Sequence, residues 1–168
     1  MTHPLVEQLR FTRAEVDRAL EGTPEEDAQR RLQPMNSIGW IIGHLAWQEQ
    51  RQWLTRGQGT TPVPILDELV PNGGPATTPP LSQMREARRT IIAAADPWLD
   101  PLTTEDLLRE LPPPGPQRRI GDALQRVIYH HWFHIGEVLA IRQVLGHPDL
   151  PEFVGAIEAT APYRPDPT

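Results

Sequence analysis

The sequence predicts an all-α protein, a four-helix bundle with long proline-rich connecting loops. Four segments carry apolar residues at the spacing of an amphipathic helix, and no segment shows the alternation typical of a β-strand. All 20 prolines lie outside these four segments. We assign residues 1–160 to a single domain and residues 161–168 to a proline-rich C-terminal tail.

The first half of the chain contains two of the long helices. The first spans about residues 5–20 and carries one apolar stripe. The sequence at 23–26 predicts a short helix with threonine as the N-cap and proline at the first helical position. The second long helix is capped by Asn36 or Ser37 and runs to about Thr55. Its first half is apolar nearly all round, which favours a central place in the bundle.

The second half begins with a loop over residues 60–80, rich in proline, glycine and threonine. Loops of this length often form lids or binding loops. The third long helix covers about 81–95, and the Asp-Pro pair at 96–97 is expected to end it. The fourth covers about 120–145, with Gly146 as its stop.

Shorter pieces complete the predicted fold. Thr103 or Thr104 caps a short helix over about 105–111. The run at 112–116, with four prolines, predicts an extended connector. A single helical turn is expected around residues 153–159.

Composition excludes several classes of chemistry. The chain has no cysteine, which excludes disulfides, thiolate metal sites and a cysteine nucleophile, and it has no lysine for a Schiff base. The net charge of −6 gives no basic surface for nucleic acid. We see neither a signal peptide nor an apolar run long enough for a membrane span. We therefore expect a soluble cytoplasmic domain that acts on a small molecule.

Three histidines on two predicted helices are the strongest functional signal. His130 and His134 are four residues apart and share one helix face, and His44 on the second long helix offers a third imidazole. Such a set predicts a divalent-metal site with open coordination positions, which are typical of catalytic rather than structural sites. Periodicity leaves open whether His130 or His131 joins His134; we favour His130. We assign the remaining histidines to the surface or to packing: His3, His131 and His147.

The alternative is that these histidines are ordinary core residues. A lone pair of histidines four residues apart more often packs or hydrogen-bonds than binds a metal. Two features favour a site: three of only six histidines face the predicted core, and burying imidazoles without partners costs a few kcal/mol.

The segments at 36–47 and 130–137 resemble the two histidine motifs of the DinB-like (DinB/YfiT-like) superfamily of metalloenzymes. The resemblance extends over nearly the whole chain in helix order and loop placement. It implies a four-helix bundle of the DinB/YfiT-like type, a zinc or nickel ion held by His44, His130 and His134, and often a homodimer. Several relatives use a low-molecular-weight thiol (mycothiol, bacillithiol or glutathione) in S-transfer or isomerisation.

Two positions depart from the family's second motif. Glu137 replaces its usual glutamine, and Ile135 replaces a residue that is often basic. The carboxylate of Glu137 could act as a fourth ligand, as an acid or base, or as the partner that orients an imidazole. The loss of the basic residue argues against an inherited preference for acidic substrates.

Our leading hypothesis is a thiol-dependent S-transferase in which the metal site activates the thiol of a small-molecule cosubstrate. Trp40, Trp47 and Arg51 could line the pocket, and Arg51 could meet a carboxylate of the cosubstrate because it lies two turns beyond His44. The simpler interpretation makes Arg51 a solvated surface residue and the tryptophans core residues. The alternatives to S-transfer are metal-hydroxide hydrolysis with Glu137 as base, and a non-catalytic, stress-related metal-binding protein.

Overall fold

The computed structural model describes residues 2–152 and 154–164, and the all-α prediction is confirmed for them. Outside the helices, these residues form turns, coil and one isolated bridge between Glu110 and Arg119. The helices are α1 (Pro4–Ala19), α2 (Glu25–Gln29), α3 (Ile38–Glu49), α4 (Leu66–Leu69), α5 (Leu81–Leu99), α6 (Thr104–Leu107), α7 (Ile120–Val144) and α8 (Ile157–Thr160), with a π-helical segment at Gln50–Arg56 directly after α3.

The four long helices α1, α3, α5 and α7 correspond to the four that the sequence predicts. Helix α3 packs against both α5 and α7, and α1 packs against α7. The core draws on all four, and Leu9, Ile42, Ile91 and Leu124 are fully buried. Gly43 permits close packing of α3 on α5, because a Cβ there would collide with Sδ of Met84. No helix among the described residues is long and apolar enough to cross a bilayer.

The prediction that Asp96 and Pro97 end the third long helix is wrong. Helix α5 continues through Pro97 to Leu99. The extra turn is stabilised by packing, since Leu99 is fully buried and the ring of Trp98 lies 6.2 Å from that of Trp53. Burial of Leu99 and the packing of Trp98 on Trp53 outweigh the loss of one backbone hydrogen bond at proline.

Two short helices also differ from their predicted bounds. Pro24, rather than Thr23, is the N-cap of α2, and the Thr23 hydroxyl is buried without a hydrogen-bond partner. Helix α6 has only four residues, although Thr103 caps it as predicted, through a capping box with Asp106. Of the turn expected around 153–159, residue 153 lies outside the described residues, and α8 begins at Ile157.

Helix α3 begins as predicted but changes geometry near its end. The Ser37 hydroxyl accepts a hydrogen bond of 3.1 Å from the Trp40 N–H. From Gln50 the helix widens into π geometry, and Arg56 in its last turn donates to the carbonyls of Leu111, Pro112 and Pro116. The proline-rich connector is thereby attached to the end of this helix.

A buried carboxylate connects the four long helices. Glu49 of α3 is 1% exposed and accepts hydrogen bonds of 3.0 and 3.1 Å from Nε of Arg13 on α1. Arg13 also donates to Asp96 of α5 at 2.7 Å. Nε2 of His131 on α7 lies 3.2 Å from Oε1 of Glu49. Burial alone would raise the pKa of Glu49, but Arg13 and His131 together hold it below its usual value.

We expect Glu49→Gln to lower the free energy of unfolding at pH 7 by about 3–5 kcal/mol, because the buried Arg13 loses its main counter-charge. Since the folded-state pKa of Glu49 is depressed, its contribution is complete above its ordinary pKa of 4.5 and declines as the pH falls below that value. Urea unfolding of both proteins at pH 7 and at pH 3 measures the difference, which should shrink at the lower pH.

The matched control is Glu86→Gln on α5, where the carboxylate is 67% exposed and contacts Arg89 one turn away. An exposed pair contributes about 0–1 kcal/mol. Equal stability of the two variants at pH 7 would show that the buried network is not a major source of stability.

Candidate metal centre

His44 lies on the buried face of α3 with one ring nitrogen already engaged. Its Nδ1–H donates to the backbone carbonyl of Val70 over 2.9 Å, because a carbonyl can only accept. This bond selects the tautomer that leaves the Nε2 lone pair free. A backbone carbonyl in this position is typical of the partners that orient metal-binding histidines.

Two tryptophans enclose the His44 ring. The ring of Trp40 stacks on it at 4.6 Å and that of Trp47 at 5.3 Å, at interplanar angles of 13° and 23°. The Trp40 indole N–H donates to the carbonyl of Pro75 at 3.2 Å, and that of Trp47 to Asp67 at 2.7 Å. The 60–80 segment therefore supports His44 directly and through both indoles.

The other two histidines come from α7. Nδ1–H of His134 donates to Oε2 of Glu137 over 2.5 Å, which leaves Nε2 of His134 with its lone pair. Nε2 of His130 lies 3.0 Å from Nε2 of His134. Glu137 thus has the position of a partner that orients an imidazole.

The three imidazoles converge between α3 and α7. One ligand atom from each of His44, His130 and His134 lies within 4.8 Å of the others. An ion with bonds of 2.0–2.1 Å holds adjacent nitrogens about 3 Å apart, so small side-chain rotations suffice for a shared ion. Nδ1 of His130 is buried without a hydrogen-bond partner, so this ring is the least constrained of the three.

All three histidines are kept in the neutral form that binds metals. Burial lowers the pKa of His44. Burial, together with the neighbouring His44, lowers the pKa of His130 to about 4. Burial and the neighbouring His130 lower that of His134 to about 3. The three histidines therefore offer neutral nitrogen donors to a divalent ion in a largely buried site. Hydrogen bonds through Nδ1 orient two of the three rings.

The remaining histidines lie away from this cluster. The structure places His130, not His131, beside His134. His131 is fully buried and turned towards Glu49, and its Nδ1–H donates to the Val127 carbonyl at 2.9 Å. His3 caps α1 through a hydrogen bond of 3.1 Å, and Nε2 of His147 is 3.0 Å from Asp27.

The other predicted site residues lie around the cluster at different distances. Besides its bond to His134, Glu137 has a pKa raised by burial. Trp47 contacts His44 directly. Arg51 is exposed, and its guanidinium lies 4.8 Å from the centre of the Trp47 ring. Arg51 is thus connected to the histidine cluster through Trp47, which stacks on His44.

Sequence reasoning missed the groups that orient His44. Val70 acts through its backbone carbonyl, which no side-chain pattern reveals, and Asp67 lies in a segment without a long helix. It also missed a surface pocket of about 450 Å³ beside His130, which includes Arg126 one turn earlier on α7. The one available signal was the spacing of Arg126 and His130, four residues apart on one helix.

Comparison with protein families assigns this chain to one of them. A family model of the DinB superfamily matches residues 8–138, a stretch that contains all three histidines and Glu137. A search of curated proteins found no match. The match extends over most of the chain, and the protein belongs to the DinB superfamily.

Proposed function

We propose that this protein is a metal-dependent enzyme that uses a low-molecular-weight thiol to modify an electrophilic small molecule. His44, His130 and His134 would hold the ion, for which zinc and nickel are the leading candidates. The observation that carries the proposal is the convergence of three neutral imidazoles, two of them oriented through Nδ1.

The surrounding residues support transfer from an external thiol. A divalent ion bound by three neutral ligands would keep its double positive charge and lower the pKa of a thiol placed beside it. The chain has no cysteine, so the thiol must come from a cosubstrate. Arg51 and Trp47 are candidates for contacts with that cosubstrate, because the pair borders His44.

Glu137 is the candidate proton acceptor. Its Oε2 accepts from Nδ1 of His134, on the side of the ring opposite to Nε2, so the S–H proton of the thiol would reach the free Oε1 through a water molecule. Burial raises its pKa, and this makes the carboxylate a better base than an exposed glutamate. In transfer to a chloroarene, sulfur would bond to the carbon that loses chloride, and the proton would pass to Glu137 and then to water.

Metal content tests the ligand set. Protein purified without a nickel column should contain about one divalent ion per chain, and His44→Ala and His134→Ala should each lose most of it because two imidazoles bind weakly. Elemental analysis by mass spectrometry is the measurement. The control is His3→Asn, which removes an imidazole but keeps a residue able to cap α1.

Wild-type protein without stoichiometric metal, even after incubation with zinc or nickel, would contradict the proposal. Retention of the ion by both alanine variants would equally contradict it, since the ion would then lie elsewhere.

Turnover tests the chemistry. With a chlorodinitrobenzene as electrophile and glutathione, mycothiol or bacillithiol in turn, we expect metal-dependent release of chloride. Glu137→Gln should lower kcat about 100-fold at saturating metal, because the proton acceptor is lost. Hydrolysis without any thiol would favour hydrolase chemistry, and metal binding without turnover would favour a sequestering protein.

We also propose that the protein forms a homodimer through α7. Two large apolar side chains in the C-terminal half of this helix are strongly exposed: Phe133 at 64% and Val144 at 69%. With the exposed Gly136 and Ala140 they form one face, here called the α7 stripe. A Cβ at Gly136 would meet no atom within 4 Å, so a second helix could approach closely there. A self-complementary apolar face is the usual basis of a twofold dimer.

Light scattering coupled to gel filtration tests the dimer. The double variant Ala140→Glu/Val144→Glu should be monomeric with unchanged helix content, since charges on the α7 stripe oppose burial. Leu108→Glu is the control, because Leu108 is 62% exposed but lies outside the stripe. A monomeric wild type at high protein concentration would refute the proposed interface.

A further inference from the structure

The surface pocket beside His130 includes the positively charged side chain of Arg126, to which the proposed chemistry assigns no role. The pocket has a volume of about 450 Å³ and is lined by Asp122, Gln125, Arg126, Tyr129 and His130, all of α7. Since His130 is also one of the three converging histidines, the pocket is continuous with a residue of the candidate metal centre. A molecule in this pocket would therefore lie against the centre from the outer side of α7.

Arg126 is available for a ligand. It is exposed, and within residues 2–152 and 154–164 its guanidinium makes neither an ion pair nor a hydrogen bond. Asp122, one turn earlier, is placed at the spacing of a helical ion pair but does not pair with it. By contrast, Arg13 and Arg88 are buried and engaged with carboxylates.

We propose that Arg126 binds a carboxylate of the thiol cosubstrate and so selects an acidic thiol; this inference rests on the proposed function. A guanidinium holds a carboxylate through two parallel hydrogen bonds, which fixes its orientation. Four residues, a rise of about 6 Å, separate Arg126 from His130 along α7. Because Arg126 and His130 line the same pocket, a short spacer between sulfur and carboxylate would let one small thiol contact both residues. Asp122 in the same pocket opposes a second negative charge, which favours a monocarboxylate over a phosphate.

The charge of Arg126 lies on the N-terminal side of the histidine pair, and the residue directly after the pair is apolar. Ile135 stands directly after His134, and Arg126 lies two turns earlier on the same helix. An acidic substrate would thus be recognised from the N-terminal side of the histidine pair.

Thiol binding to the cobalt-loaded protein tests the inference without turnover. Two probes of nearly equal size are used: 3-mercaptopropionate, which is acidic, and 3-mercaptopropionamide, which is neutral. The absorption that arises when sulfur binds cobalt reports the affinity of each. At low salt we expect wild type to bind the acidic thiol about tenfold more tightly, because a charge-assisted pair forms only with the carboxylate. Arg126→Gln should remove this preference, and Arg126→Lys should keep part of it.

Controls separate the possible outcomes. Arg89→Gln on α5 changes an exposed arginine that does not line this pocket, so this variant should keep the preference. Equal affinities in wild type, or a preference that survives Arg126→Gln, would overturn the inference and leave the proposed function intact. Loss of the preference in Arg51→Gln instead would assign the carboxylate to Arg51 and also overturn it. Cobalt binding without any thiol absorption, or no cobalt binding, would overturn both the inference and the proposed function.

Discussion

The arrangement of the candidate centre depends on the buried carboxylate of Glu49. Each of the four long helices contributes one polar group to its surroundings: Arg13, Glu49 itself, Asp96 and His131. Nε2 of His131 lies 3.2 Å from this carboxylate, so the side of α7 that carries His131 faces Glu49. Because consecutive residues on a helix differ by about 100°, the neighbouring His130 faces a different direction, towards His44. A buried carboxylate away from the Arg13 guanidinium would be strongly destabilised, so this ion pair favours the observed arrangement of α1 and α3.

Both backbone and side-chain groups orient the imidazole rings of the candidate centre. The Val70 carbonyl and the Glu137 carboxylate each accept an Nδ1–H, and both leave Nε2 directed at the common space. The lowered pKa values of the three rings keep their lone pairs free near neutral pH. The protein therefore presents a neutral, largely buried set of nitrogen donors. These donors lie within the residues that match the DinB superfamily.

The parts of this structure that the sequence predicts are those with a local cause. The four long helices follow from apolar periodicity, and the Ser37 and Thr103 caps from short polar motifs. Periodicity alone does not choose between His130 and His131, because the group that His131 faces, Glu49, lies some eighty residues earlier in the chain. The continuation of α5 past Pro97 likewise depends on tertiary burial of Leu99. The π-helical segment has no signal that we recognise in its sequence.

The two indoles around His44 have a consequence for how quickly and how tightly a ligand can be captured. A histidine on an open surface samples several ring orientations, and binding must suppress all but one. Here the stacking of Trp40 and Trp47 and the bond to Val70 already immobilise the imidazole when the chain folds. The loss of side-chain entropy at His44 therefore occurs on folding and not on ligand binding, and the ring is preorganised.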